Sequence, residues 1–98
     1  MVIAGDPSTV LQSLALIVNN TYSNVTGPIS KVGVQYSVNS NMSQAESAYA
    51  SSVATPYQVV LTNLIPNKTY YYRAVVVTPS GDHVSEIKTF TTPDMSLM

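Results

Sequence analysis

The sequence predicts an all-β sandwich of about seven antiparallel strands in two facing sheets. Three observations carry this reading. Apolar residues recur at every second position along most of the chain. Clusters of turn-forming residues separate those runs at short intervals. One turn, Leu64-Ile-Pro-Asn-Lys-Thr-Tyr70, feeds directly into the longest run and sets a tyrosine at the corner. Alternation of period two sends one set of side chains to a buried face and the other toward solvent. Several short strands punctuated by turn signals build sandwiches or barrels.

Taken in order, strands are expected near 8–11, 13–19, 31–38, 44–50, 56–62, 69–78 and 84–92. The first is short. In the second, Leu14, Leu16 and Val18 alternate, and in the third, Val32, Val34, Tyr36 and Val38 do so. The fourth is weak: Ser43-Gln-Ala-Glu46 has the form of a capping box, with Ala45, Ala48 and Tyr49 at helical spacing. A turn or two of helix there competes with an irregular edge strand, which suits a segment linking two strands of one sandwich. Tyr57, Val59 and Leu61 mark the fifth strand; Tyr70, Tyr72, Ala74 and Val76 mark the sixth. In the last, Ile87 and Phe90 lie three apart, so a bulge or bend is needed to bury both. Breakers fall between the runs at Asn19-Asn-Thr21, Thr26-Gly-Pro28, Asn39-Ser-Asn41, Asn63 to Thr69 and Pro79-Ser-Gly-Asp82. The expected core is Leu14, Leu16, Val34, Tyr36, Val59, Leu61, Leu64, Tyr70, Tyr72 and Phe90.

At 98 residues the chain has the length of one domain, since domains commonly run to about 100–150 residues. Its core is expected over about 8–93, with 94–98 as tail or linker. It has no cysteine, which excludes a disulfide framework and thiolate metal sites. Only 9% of residues are charged, with a net charge of −1, against about 25% in an average domain. Lys31, Lys68, Arg73 and Lys88 are scattered, so neither nucleic-acid binding nor adhesion to anionic lipid is expected. Val10–Val18 is apolar, but it follows Asp6 and Pro7 without a basic region and is interrupted by Gln12 and Ser13. It is not a signal core, and it is too short to span a bilayer.

Certain residues carry a resemblance. Val32-Gly-Val-Gln-Tyr-Ser37, the stretch from Val59 through Leu64-Ile-Pro66 and Tyr70-Tyr-Tyr-Arg-Ala74, and Glu86-Ile-Lys-Thr-Phe-Thr-Thr-Pro93 are similar to the fibronectin type III domain. The version they resemble is that of surface proteins of Bacteroides-like bacteria. The match is close over the second half of the chain and loose over the first. It implies an immunoglobulin-like (fibronectin type III) sandwich in which Tyr70 packs under a corner and sends its hydroxyl back to the upstream backbone. It implies a non-catalytic module, fused beside other domains in a bacterial cell-surface or extracellular protein. Val18 stands where many members carry a core tryptophan. The loop between the last two strands reads Ser80-Gly-Asp82, so the Arg-Gly-Asp function does not carry over.

No catalytic, metal or cofactor site emerges from the residues. His83 is the only histidine; Asp82 and Glu86 are its nearest acids, but the adjacent turn makes a solvated side chain the default. Two ligands from adjacent residues do not close a zinc shell. The serines lack a base and an orienting acid. Four tyrosines, Tyr36, Tyr57, Tyr70 and Tyr72, fall at inward positions, which weakens a glycan-stacking reading. Tyr71 and Arg73 should face outward with Val75 and Val77, and with His83 nearby they form the candidate contact surface. Asn19, Asn24, Asn41 and Asn67 begin Asn-x-Ser/Thr triplets, which arise by chance in an Asn- and Thr-rich chain.

The expected role is a structural spacer within a larger cell-surface or secreted protein, its partners being neighbouring domains of the same polypeptide. The alternative is recognition of glycan or protein through loops near 20–30 and 79–83, or through the outer face of strand 69–78. A third reading, weaker, has His83 contribute to the active site of an attached enzyme.

Overall fold

The computed structural model describes residues 1–23, 25 and 28–93. Among these, nine strands and no helix occur: β1 (Val2–Ile3), β2 (Asp6–Val10), β3 (Ala15–Tyr22), β4 (Lys31–Ser37), β5 (Glu46–Tyr49), β6 (Tyr57–Leu61), β7 (Thr69–Thr78), β8 (Gly81–Val84) and β9 (Lys88–Thr91). Every pairing is antiparallel. One sheet has β3 at its centre, with β1 and β2 along one edge and β6 along the other. The second runs β5-β4-β7, with β8 and β9 sharing the far edge of β7.

The count exceeds seven because two strands are each broken once. Pairs Val2↔Tyr22 through Pro7↔Ile17 keep one register, so β1 and β2 are a single edge interrupted at Ala4-Gly5. The bend expected to bury both Ile87 and Phe90 occurs at the other edge but buries only Phe90. Between β8 and β9 the register against β7 shifts by one residue, and Ser85 holds the gap: its amide donates to the Ala74 carbonyl (3.0 Å) and its hydroxyl accepts from the Ala74 amide (2.9 Å). Phe90 is buried and Ile87 is left exposed. The segment 44–50 resolves as the edge strand β5, following turn residues Met42 and Gln44 with φ of 62° and 54°.

Eight of the ten expected core residues are buried: Val34, Tyr36, Val59, Leu61, Leu64, Tyr70, Tyr72 and Phe90. The other two are corrected. Leu14 and Leu16 are only half-buried, and Ala15 and Ile17 take the inward face of β3. Val18 follows Leu16 outward. The core also begins earlier than residue 8, since Val2 and Ala4 belong to the buried cluster. The first strand, expected at 8–11, is Asp6–Val10. The expected tail 94–98 lies outside the described residues.

One device ties the strands of the first sheet together, and a second joins the two sheets. The first is a buried amide. Asn19 adopts φ 62° and bulges out of β3, shifting the register against β6. A bulge leaves ladder groups unpaired, and the fully buried Asn20 side chain takes them up. Its Oδ1 accepts from the Gly5 amide (2.8 Å), while its Nδ2 donates to the carbonyls of Ile17 (3.2 Å) and Tyr57 (3.1 Å). Gly5 must be glycine here, because a Cβ would lie 1.6 Å from the Val18 carbonyl oxygen.

The second device is a set of tyrosine hydroxyls that cross between sheets. Tyr57 of β6 donates to the Gly33 carbonyl of β4 (2.8 Å), and Tyr72 of β7 donates to the Gly5 carbonyl (2.7 Å). Each ring fills apolar space while its hydroxyl donates to a backbone carbonyl across the core.

Candidate contact surface

Strand β7 presents its odd-numbered residues to the outer face of the second sheet. Directly paired residues share a face, so the registers define rows across it. Lys31, Val77 and Asp82 form one row; Tyr49, Gly33, Val75 and Val84 form the next; Ser47, Gln35 and Arg73 form a third.

The structure brings Tyr71, Arg73, Val75 and Val77 into one column, but that column is not a free apolar stripe. Val75 is 0% exposed, which corrects its assignment as outward contact surface. The reason lies in its row. Gly33 has no side chain, and the Tyr49 ring leans into the vacancy: a Cβ at position 33 would lie 2.7 Å from Tyr49 Cδ1. An aromatic ring laid over a strand glycine covers the neighbouring residues of the row. Lys31 then caps the ring, its Nζ 4.1 Å from the centroid. Arg73 is also engaged, its Nε donating to Gln35 Oε1 at 2.8 Å. Tyr71, Arg73 and Val77 remain half-buried.

His83 does not join this face. It pairs with Val76, whose side chain lies in the core, so it leaves β8 on the opposite side from Asp82. The two adjacent side chains therefore diverge and cannot grip one ion together. Among the described residues, no group of three or more His, Asp or Glu side chains is gathered for a metal. The expected loop 79–83 is mostly strand, with only Pro79 and Ser80 between β7 and β8. Of the loop near 20–30, residues 20–22 belong to β3, and 24, 26 and 27 lie outside the described residues.

Sequence reasoning missed Tyr49, Gly33 and Lys31 as a unit. The Val-Gly-Val run at 32–34 carried a signal, since a glycine inside a strand marks a close approach. Which ring would approach was not written locally.

At the base of the sandwich, Tyr70 is 5% exposed and stacks on Phe90 with centroids 5.5 Å apart. Its hydroxyl accepts from the Ile65 amide at 2.8 Å, closing the corner five residues upstream. The chain has the fibronectin type III fold. The fibronectin type III domain of human KIAA0970 superposes with a TM-score of 0.70 at 15% identity, covering 96% of this chain and 74% of that one. The fourth fibronectin type III domain of a human protein gives 0.71 at 22%, covering 97% and 79%. The sensor domain of the anti-sigma factor RsgI4 from Pseudobacteroides cellulosolvens gives 0.72 at 16%, covering 97% and 76%. No protein-family model matches the sequence, and no curated protein does.

In a fibronectin type III fold the chain enters and leaves at opposite ends, and here both points are fastened. Met1 and Ser23 exchange backbone hydrogen bonds at the end where β3 finishes and β4 begins. At the other end Thr92 is 1% exposed; its amide donates to the Lys68 carbonyl (2.9 Å) and its hydroxyl to that of Ile65 (2.6 Å). The Asn67 amide donates to the Pro93 carbonyl (3.1 Å). Strand β7, with 10 residues, bridges the two ends over about 30 Å at the usual rise per residue.

Proposed function

We propose that this chain is a non-catalytic spacing module within a larger cell-surface or secreted polypeptide, with its neighbouring domains as partners. One observation carries the reading: entry at Met1–Ser23 and exit at Asn67–Pro93 lie at opposite ends of a cross-braced body and are both tied to it. A module built this way holds whatever precedes it at a set distance and angle from whatever follows. The bacterial surface setting comes from the sequence resemblance, and the sandwich neighbours support a modular role. Recognition through the outer face of β7 is the less favoured alternative, because Val75 is covered and Arg73 is already paired.

The test is exchange within the parent polypeptide. Replacing residues 1–93 by an unrelated fibronectin type III sandwich should preserve access of a large antibody to the distal neighbour. A flexible glycine-serine segment, whose end-to-end distance fluctuates, should not. Loss of access with both replacements refutes the spacer.

A further inference from the structure

At the base of the sandwich, beside the Tyr70 corner, a pocket of about 240 Å³ opens between the turn after β4 and the loop after β6. Tyr36, Gln44, Glu46, Asn63, Ile65 and Tyr70 are among its lining residues. Its volume suits one small ring rather than a drug-sized ligand, for which pockets of roughly 300–1,000 Å³ are usual.

The floor holds an unused hydrogen-bonding group. Tyr36 is 7% exposed, and its hydroxyl makes no hydrogen bond among the described residues. Among those residues no buried side-chain nitrogen or oxygen lacks a partner, so this hydroxyl reaches open space, and the pocket is the space it lines. Tyr57 and Tyr72, by contrast, direct their hydroxyls to backbone carbonyls. Tyr70, its ring centroid 6.3 Å from that of Tyr36, accepts from the Ile65 amide and keeps its own proton to donate. Burial raises the Tyr36 pKa, and the Glu46 carboxylate and Tyr70 add to the rise, so Tyr36 stays a donor at neutral pH.

One charge faces these hydroxyls. Glu46 lies directly opposite Tyr36 in the β4–β5 ladder. No Lys, Arg or His lines the pocket, and the one ion pair among the described residues, Lys88–Asp6, is elsewhere. Gln44 and Asn63 are exposed and add side-chain amides that can both donate and accept. Ile65 and Val38, 51% and 44% exposed, give an aliphatic rim.

Three ligand classes separate on this set. An anion would meet Glu46 with no cation to offset it. A cation suits Glu46 but brings no acceptor for the phenol protons. A neutral ligand bearing hydroxyls satisfies both. Its oxygens accept from Tyr36 and Tyr70, and two neighbouring hydroxyls donate to the two oxygens of the carboxylate. We propose that this pocket binds a single neutral sugar ring of a glycan. The tyrosine hydroxyls hold it, rather than stacking on the aromatic faces, and its C–H groups lie against Ile65 and Val38.

The experiment is an NMR titration of the ¹⁵N-labelled chain with the methyl glycosides of glucose, galactose, mannose and xylose. Each is carried to about 200 mM, a range that captures a Kd of several millimolar. The amides of Glu46 and Ile65 should shift with at least one of them, Ile65 reporting on the Tyr70 hydroxyl to which it donates. Tyr36→Phe removes a hydroxyl with no protein partner. It should weaken that binding at least about fivefold and leave the urea midpoint in place. Glu46→Ala, at an exposed position, should weaken it at least about tenfold. The proposal is overturned by any of four results: no glycoside shifts these amides; n-butylammonium or N-methylacetamide shifts them as strongly as the best glycoside; Tyr36→Phe binds unchanged; or Tyr36→Phe lowers the urea midpoint as far as Tyr70→Phe, which would give the hydroxyl a structural partner instead.

Discussion

Removing the Asn20 side chain tests the brace within the first sheet most severely. Asn20→Ala strands three backbone groups at once: the Gly5 amide and the carbonyls of Ile17 and Tyr57. An orphaned buried donor costs about 1–3 kcal/mol, and each carbonyl adds a smaller amount because water or its second lone pair offers partial relief. The sum is about 3 kcal/mol, a loss in the range reserved for broken buried networks rather than surface changes. Asn20→Asp should be worse at neutral pH. It keeps an acceptor for Gly5 but sets a buried carboxylate against two carbonyl oxygens. Burial raises the pKa of such a carboxyl, so protonation restores a donor, and this variant alone should recover relative stability as pH falls. Urea unfolding followed by circular dichroism at pH 7 and pH 4 measures both effects. An Asn20→Ala loss under about 0.5 kcal/mol, the value of an ordinary surface position, would refute the claim that this amide holds the bulge.

Tyr70→Phe should destabilise by about 1 kcal/mol or more, since it deletes the acceptor for Ile65 and leaves the ring packing intact; Tyr71→Phe should be near neutral in the same unfolding assay, and equal losses would contradict the corner. Alkaline stability should fall in a defined window. Burial, the larger cause, pushes the hydroxyls of Tyr57 and Tyr72 up to about 12 from 10.0, with Asp6 adding to the shift at Tyr72. A folded pKa above the unfolded one gives stability that is complete below pH 10 and lost as pH rises toward 12. Urea midpoints measured across that window should decline, and Tyr57→Phe and Tyr72→Phe should each flatten the decline.

The parts of this fold that the sequence disclosed are those written locally. Tyr57, Tyr70 and Tyr72 sit in runs whose other alternate set is broken by a polar residue, Gln58 or Arg73, so their inward direction could be read directly. Leu14 to Val18 is apolar at every position, and periodicity then cannot choose a face. What chose it was distant: Gly5 beside Val18, and the bulge at Asn19 that turns Asn20 inward. The two residues of β1 are too few to show a period. Val75 illustrates the candidate surface. Its outward direction was legible, but its burial depends on Gly33, Tyr49 and Val84 from three other strands. Likewise an open groove is lined by β1 and by the segment joining β8 to β9, a juxtaposition that no single stretch of sequence declares.

The spacing role rests on a rigid separation between entry and exit. With no native cysteine, Ser23→Cys and Asn67→Cys can be spin-labelled together and their separation measured by pulsed electron resonance. The account predicts one narrow distribution centred about 30–40 Å, the span of β7 and its flanking turns at the usual strand rise. A broad distribution, or a peak near about half that distance, would contradict it.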